Sequence, residues 1–358
     1  MAFEVLFFYG VSSLCISSLT VIGNAMTLFA FYHEKSLRIN PSNNFIIALT
    51  INDLLYGIHI FFFLGIPFTF QRTHGYFFGE TGCMMTVFLN HLFVIGNLLL
   101  LAISVDRLLL ICLKYSNYVK FQTTSRVGIG IAMCYVAGVT LGVIEMSMWE
   151  FAKKDKTVAA KINFNRYCIS PPRNQGVFGL LLSFGFYVTP ITLVFLLNVV
   201  FFALLIRKIR KRGQVGSTQS SIRTGGTSLN SIPSRSGQNG GSSLGANLEA
   251  TQSQNMSGST PPKNDNTGDA HTKSRYVKPA ITLAVLVGAM AISNLPYCTY
   301  LVVIAFCSSC RDPIMVRYWL LVCQLNSLLD PLFYTFTQRK LREYYKKKFQ
   351  RLFASFNR

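Results

Sequence analysis

Residues 84–111 are MMTVFLNHLFVIGNLLLLAISVDRLLLI, and this stretch decides the fold class. It contains no Asp, Glu, Lys or Arg before Asp106. A bilayer core is roughly 30 Å thick and is crossed by about 20 apolar residues in a helical conformation. The sequence therefore predicts a transmembrane helix here, with the charged pair Asp106-Arg107 near its end.

Six further apolar stretches have a similar length, and each is predicted to form a transmembrane helix. We number the seven spans helix 1 to helix 7 in chain order, so that the stretch above is helix 3. The sequence thus predicts an all-α membrane protein, a bundle of seven transmembrane helices. The predicted ranges are 11–32, 44–70, 84–111, 127–149, 177–206, 279–306 and 316–336.

The composition agrees with a membrane protein. Of the 358 residues, 51% are hydrophobic and only 13% are charged, and the mean hydropathy is +0.37. A soluble domain of this size would need more charge to cover its surface. The formal net charge is +20, but the basic residues lie between and after the apolar stretches. This placement indicates membrane anchoring rather than nucleic-acid binding.

The distribution of Lys and Arg predicts the orientation in the membrane. Basic residues follow helices 1, 3, 5 and 7, which assigns these connections to the cytoplasm and makes residues 1–10 a short extracellular N-terminus. The connection between helices 4 and 5 is also basic, although it is extracellular if successive connections alternate between the two sides of the membrane. In this arrangement, residues 11–212 hold helices 1 to 5 and residues 274–337 hold helices 6 and 7.

Two segments outside the spans differ in composition. Residues 213–273 are rich in Ser, Gly, Asn and Thr and contain no Phe, Tyr or Trp, so this third cytoplasmic loop is predicted to be disordered. Residues 338–358 are predicted to form an amphipathic helix and tail on the inner membrane surface. Their apolar side chains recur at three- and four-residue spacing: Leu341, Tyr344, Tyr345, Phe349, Leu352 and Phe353.

Three carboxylates fall within the predicted spans, where ionisable groups are costly. Asp53 in helix 2 and Asp330 in helix 7 are predicted to face one another across a water-filled cavity. A structural sodium ion or a shared proton there would compensate the negative charge of the two carboxylates. The alternative is a buried polar pair that only fixes helix packing. Glu145, near the outer end of helix 4, is expected to extend to the interface.

The order of these features resembles the rhodopsin-like (class A) family of G-protein-coupled receptors. The matching features are the aspartate in helix 2, Asp106-Arg107 closing helix 3, and NSLLDPLFY at residues 326–334. Asn24 in helix 1 and Pro296 in helix 6 agree with the same pattern. The resemblance covers nearly the whole chain except the middle loop, and within the family it is loosely similar to histamine and muscarinic amine receptors.

The resemblance implies a plasma-membrane receptor that passes an extracellular small-molecule signal to a heterotrimeric G protein by a movement of helix 6. Arrestin and receptor kinases are further implied partners, besides membrane lipids, and no enzymatic activity, metal centre or nucleic-acid binding is expected. The implied coupling and switch residues are Asp106, Arg107, Pro296, Pro331 and Tyr334. The implied polar cavity, with its structural sodium ion, comprises Asn24, Asp53, Asn326 and Asp330.

The resemblance also implies a disulfide between Cys83 and Cys168. Cys307 and Cys310 are similar to a small extracellular C-x-x-C pair, and two free thiols are the alternative.

Departures from the family's pattern affect its switch residues. The tyrosine after the motif arginine is Leu108, the tryptophan two positions before Pro296 is Asn294, and the usual helix-5 tyrosine is Asn198. These changes predict a loosely held inactive state with high basal activity.

The position that binds an ammonium group in amine receptors carries no charge here. It is Asn90 when counted from Cys83 and Leu89 when counted back from Arg107, and helix 7 has no lysine to hold retinal. We therefore expect a neutral or anionic ligand, with simple packing between helices as the alternative role for the aromatic residues. The predicted pocket residues are Asn90, His91, Phe93, Phe186, Asn294, Tyr297, Tyr300 and Gln324.

Two alternative functions stay open at this point. One is a non-signalling or constitutively active relative of the receptors, which the altered switch residues permit. The other is an ion-coupled secondary transporter that uses Asp53 and Asp330, although the sequence shows no internal repeat of the kind such transporters carry.

Overall fold

The computed structural model describes residues 2–70, 79–154, 183–223, 288, 290, 293–303, 307, 310 and 312–356. The chain divides into two compact units, residues 1–205 with 276–358, and residues 206–275. Within the described residues the secondary structure is helical and contains no strand. The prediction of an all-α protein is therefore confirmed.

Helices 1 to 4 form continuous or nearly continuous rods. Helix 2 extends through a π-helical turn, and helix 3 is interrupted at Asn90. Two short helices, Lys35–Arg38 and Tyr115–Phe121, lie in the connections after helix 1 and helix 3. The bounds are Ala2–His33 for helix 1, Asn43–Ile60, Phe61–Gly65 and Ile66–Phe70 for helix 2, Gly79–Leu89 and His91–Cys112 for helix 3, and Thr124–Lys154 for helix 4.

The second half of the chain supplies helix 5, part of helix 6, helix 7 and a C-terminal helix. Helix 5 begins with a π-helical segment, Ser183–Val188, and continues as Thr189–Arg223. Residues 293–303 of helix 6 are helical. Helix 7 is Pro313–Thr337, and the C-terminal helix is Arg339–Phe356.

Five of the described helices are long and apolar enough to cross a membrane. They are Glu4–His33, Asn43–Phe70, Met84–Cys112, Thr124–Met148 and Phe184–Lys208. These agree with the predicted helices 1 to 5. Helix 7 is 25 residues long but more polar, because it contains Gln324, Asn326 and Asp330.

Two predicted boundaries are wrong. Residues 2–10 do not form a separate N-terminal extension, because helix 1 already begins at Ala2 and this segment is itself largely apolar. The predicted disordered loop at 213–273 begins too early, since its first residues, up to Arg223, are helical in the second unit. The rest of that loop lies outside the described residues.

The surface is apolar and part of the interior is polar. Ile129, Met133 and Val136 of helix 4 are exposed, whereas Asn24 and Asn97 are buried. A water-soluble protein has the opposite distribution, so lipid is the solvent for this surface.

Glycines bring helix 4 close to helix 3. A Cβ atom at Gly142 would lie 2.8 Å from Cδ2 of Phe88 and 3.5 Å from Nδ1 of His91. Small residues allow membrane helices to approach in this way. Because Glu145 lies one turn after Gly142, the close approach brings its carboxylate within reach of helix 3.

Candidate functional site

The predicted polar cavity is formed by side chains from helices 1, 2, 3 and 7. The Ser327 hydroxyl donates a hydrogen bond of 2.9 Å to Oδ1 of Asp53. The Asn24 amide donates to the Ser327 carbonyl at 3.1 Å, and the Asn52 amide donates to the Leu92 carbonyl at 3.0 Å. These bonds connect helix 2 to helices 3 and 7, and helix 1 to helix 7.

Several oxygens of this cavity have no hydrogen-bond donor within the described residues. They are Oδ2 of Asp53, both carboxylate oxygens of Asp330, and the amide oxygens of Asn24 and Asn326. The Asp53 and Asp330 carboxyls lie close enough to repel each other when both are ionised and to share a hydrogen bond when one of them is protonated. Two adjacent carboxylates repel one another when both are ionised, so a bound cation or proton would stabilise the pair.

A small cavity of about 10 Å³ opens beside the Asp53 and Asn326 side chains, which is about the space of one water molecule. Asp53, Asn97, Asn326 and Ser327 are among its lining residues. Carboxylate, amide and hydroxyl oxygens are the ligands that hard cations prefer. The size and the donor set therefore fit a sodium ion.

The C-terminal end of helix 3 is tied to the connection that follows it. The Tyr118 hydroxyl donates a hydrogen bond of 2.9 Å to Oδ1 of Asp106 and lies 2.9 Å from the Ser42 hydroxyl. Nε of Arg107 is 3.9 Å from Oδ2 of Asp106. Burial and the Asp106 charge raise the pKa of Tyr118 to about 12, so the phenol remains a neutral donor. The predicted Asp106-Arg107 pair therefore has two additional partners, Tyr118 and Ser42, that the sequence did not indicate.

Helix 5 is joined to helix 3 by Asn198, which stands where the family usually has tyrosine. The Asn198 amide donates to the Ser104 hydroxyl at 2.9 Å and to the Val194 carbonyl at 2.7 Å. The departure from the family's pattern thus replaces a phenol by a buried amide that links two helices.

Three of the predicted pocket residues meet in one aromatic cluster. Tyr297 is buried in it, and Phe93 and Phe186 pack against it. The rings of Phe93 and Tyr187 are stacked with centroids 6.1 Å apart. The sequence did not single out Tyr187, because a tyrosine inside an apolar span carries no local signal of the direction in which it points.

Two other predicted pocket residues, Asn90 and His91, bond to neighbouring helices. Oδ1 of Asn90 is 3.3 Å from Nε2 of His59 on helix 2. Nε2 of His91 is 3.6 Å from Oε2 of Glu145 on helix 4, and both side chains are buried. The expectation that Glu145 extends to the interface is therefore wrong, because His91 gives its carboxylate a partner inside the bundle.

Tyr300 lies at the end of the described part of helix 6 and bonds to the connection that follows. Its hydroxyl accepts from the Asp312 backbone N–H at 2.8 Å and is 3.4 Å from the Cys310 carbonyl. Cys307 and Cys310 form a disulfide, which decides between the two alternatives for this pair. The predicted bond between Cys83 and Cys168 lies outside the described residues.

Helix 7 carries the predicted switch residues Pro331 and Tyr334. Both are buried, and Pro331 lies within the helix. A Cβ atom at Gly23 of helix 1 would be 3.3 Å from Cγ of Pro331, so the two helices approach closely at this point. Pro296 lies in the described part of helix 6.

Comparison with known proteins identifies the same pattern. Residues 23–334 match the family "7 transmembrane receptor (rhodopsin family)". The octopamine receptor beta-2R of Chilo suppressalis is 25% identical over 351 residues, which cover 96% of this chain and 80% of that receptor. The thyrotropin-releasing hormone receptor of Bos taurus is 25% identical over 93% of this chain and 76% of its own length. Melanopsin-B of Gadus morhua is 31% identical over 49% of this chain and 28% of its own length.

Proposed function

Since this chain belongs to the rhodopsin family of seven-transmembrane receptors and is a G-protein-coupled receptor, we propose that it responds to a small neutral or anionic ligand at the plasma membrane. The ligand binds among helices 3, 5, 6 and 7. It favours a conformation in which helix 6 moves outward about Pro296 and opens a cytoplasmic cavity. A heterotrimeric G protein binds there, and arrestin and receptor kinases are further partners.

The observation that supports this proposal most directly is the buried polar network around Asp53. Its hydrogen bonds connect four helices, yet several of its oxygens have no donor within the described residues. Unpaired buried oxygens are costly, so binding or release of a cation or proton would change which arrangement of this network is favoured. Such a change would give the proposed switch its two states.

A sodium ion fits this network. Asp53, Asp330, Asn326 and Ser327 would hold it through their oxygens. When bound, the ion would supply the positive charge that two neighbouring carboxylates require.

The proposed orientation has the N-terminus outside and the C-terminal helix in the cytoplasm. The Lys340 ammonium donates to the Ser36 carbonyl at 3.3 Å, so the C-terminal helix and the basic connection after helix 1 are on the same side. Leu341 is fully buried against the bundle, whereas Phe349 and Phe353, whose rings contact each other further along the helix, are 63% and 57% exposed. These two rings would enter the inner leaflet.

Signalling depends on Arg107 in this proposal. Asp106 is only loosely paired with Arg107, at 3.9 Å, and also accepts the shorter hydrogen bond from Tyr118. Because this pairing is weak, the guanidinium of this side chain, which is 15% exposed, would be released to a cytoplasmic partner at a small electrostatic cost, and this favours high basal activity. A constitutively active receptor is for this reason the second candidate.

The test is guanine-nucleotide exchange in membranes that contain the full chain and purified G proteins. We expect exchange above that of receptor-free membranes without ligand, and loss of this exchange in Arg107→Ala at equal surface expression. Arg126→Ala is the control, because Arg126 is exposed at the same side of the bundle and contacts Phe121 rather than Asp106. Unchanged exchange in Arg107→Ala would refute the role of this residue, and exchange at the receptor-free level in the unmodified chain would refute basal activity.

A further inference from the structure

Two buried carboxamide side chains, Asn294 on helix 6 and Gln324 on helix 7, take no part in the networks above. Asn294 is 0% exposed and Gln324 is 3% exposed. Neither the nitrogen nor the oxygen of either amide has a hydrogen-bond partner within the described residues. More than nine-tenths of buried polar groups in proteins are paired, and unpaired ones are costly. Two donor groups and two acceptor groups are therefore open to a bound molecule.

The two amides belong to the same region of the bundle. The Cys323 thiol lies 3.6 Å from the Ser293 carbonyl, so helices 6 and 7 touch at the residues directly before Gln324 and Asn294. Tyr297, one turn after Asn294, and Cys323 are both buried in the aromatic cluster that Phe93 packs against. Each unpaired amide is therefore flanked on its own helix by a member of this cluster.

The chemistry of a carboxamide limits what can pair with it. Each amide presents an acceptor oxygen and a donor NH₂ group. An ammonium group only donates and an ionised carboxylate only accepts, so either ion would leave half of the amide groups unpaired. An ion would also have to be desolvated without an opposite charge from these two side chains.

We propose that Asn294 and Gln324 form a binding site for a neutral molecule that has an aromatic body and an end with both a donor and an acceptor, such as a primary amide, a lactam or a urea. The aromatic body packs against the Phe93 and Tyr297 side of the cluster. The donor and acceptor end pairs with the two amides. This inference rests on the proposed function, in which this part of the bundle holds the ligand, and it narrows the ligand from neutral or anionic to neutral.

The first test needs no ligand. Replacing an unpaired buried amide by an apolar side chain of similar size removes a desolvation cost. In the purified, ligand-free full chain we therefore expect Asn294→Leu and Gln324→Leu to raise the thermal unfolding midpoint by about 2 °C or more.

Asn198→Leu is the matched control for this test. Asn198 is also a buried asparagine within a helix, but its NH₂ group donates to the Ser104 hydroxyl and the Val194 carbonyl, whereas neither amide group of Asn294 is paired. Its replacement should lower the midpoint. If Asn294→Leu and Gln324→Leu lower the midpoint as Asn198→Leu does, the two amides are paired in the free protein and the proposal is wrong.

The second test uses matched sets of small molecules. Phenyl, naphthyl and indolyl bodies are each attached to an acetamide, an ethylamine and an acetate, and binding is measured as the rise in the unfolding midpoint with concentration. We expect the acetamides to stabilise the receptor, and Asn294→Leu and Gln324→Leu each to raise the concentration required by about ten-fold. The proposal would be overturned if the amines or acetates stabilised the receptor instead of the acetamides, or if none of the molecules stabilised it. It would also be overturned if the acetamides stabilised the two leucine variants as well as the unmodified chain.

The two proposals fail separately. A chain that binds the acetamides through Asn294 and Gln324 but produces no nucleotide exchange would keep the binding site and refute the signalling function. If nucleotide exchange depends on Arg107 but the unfolding midpoints of the two leucine variants fall, the signalling function is supported and the binding site at Asn294 and Gln324 is refuted.

Discussion

The Tyr118 hydroxyl donates a hydrogen bond of 2.9 Å to the Asp106 carboxylate, although the two residues lie in different helices and one of them is outside the membrane span. The same hydroxyl lies 2.9 Å from the Ser42 hydroxyl, before helix 2. A single phenol thus fixes the connection after helix 3 against the end of helix 3 and the start of helix 2. Asp106 in turn has a partner besides Arg107.

Removing this phenol should destabilise the receptor. In Tyr118→Phe, the buried Asp106 carboxylate loses its closest donor, which costs about 1–3 kcal/mol. We expect a lower thermal unfolding midpoint for Tyr118→Phe in the purified chain. Tyr32→Phe is the control, because Tyr32 is an exposed tyrosine of helix 1. Equal midpoints for both variants would mean that Asp106 does not depend on Tyr118.

The stabilising effect of Tyr118 should be constant near neutral pH and disappear in alkali. The folded protein raises the pKa of Tyr118 from 10.0 to about 12 through burial and the Asp106 charge, so folding favours the protonated phenol. Its contribution is therefore complete below about pH 10 and decreases as the pH rises towards about 12. The midpoint difference between Tyr118→Phe and the unmodified chain, measured across this range, should shrink accordingly. A difference that changes between about pH 6 and 9 would assign the effect to another group.

Sodium should stabilise the receptor through Asp53. An ion that binds only the folded state raises stability with its concentration. We expect the unfolding midpoint to rise when sodium chloride replaces choline chloride at constant ionic strength, and this rise to be lost in Asp53→Asn. Asp312→Asn is the control, because Asp312 is exposed and caps helix 7. If Asp53→Asn keeps the sodium effect, the cavity is not the sodium site. If sodium does not raise the midpoint of the unmodified chain either, the cavity binds no sodium, and a shared proton is the remaining way to neutralise one of the two carboxylates.

The C-terminal helix should lie on the bilayer with one defined face. Phe353 is 57% exposed and its ring contacts that of the exposed Phe349 one turn earlier, whereas Arg351 points to the side of the helix opposite these two rings. A fluorophore on Phe353→Cys should be quenched by nitroxide-labelled lipids more strongly than one on Arg351→Cys. The exposed native Cys15 and Cys112 would first be replaced, since they would also react. Equal quenching at both positions would contradict the orientation of this helix.

The sequence predicted the helices and the polar residues of the cavity, but not most of the partners. Asp53 and Asp330 could be identified because a carboxylate inside an apolar stretch is costly wherever it points. The bonds of Asn90 to His59 and of His91 to Glu145 depend on how each helix is rotated about its axis. A membrane helix is apolar on nearly all sides, so its sequence carries little periodicity from which that rotation could be deduced.

The contact between His91 and Glu145 should hold helix 3 against helix 4. Nε2 of His91 is 3.6 Å from Oε2 of Glu145, and both side chains are buried. Removing one partner of a buried polar pair leaves the other poorly solvated, whereas replacing both removes the cost. We therefore expect Glu145→Leu and His91→Leu each to lower the unfolding midpoint. The double variant should lower it by less than the sum of the two single decreases, and a double-mutant cycle of midpoints measures this coupling. Purely additive effects would show that the two side chains stabilise the helix pair independently.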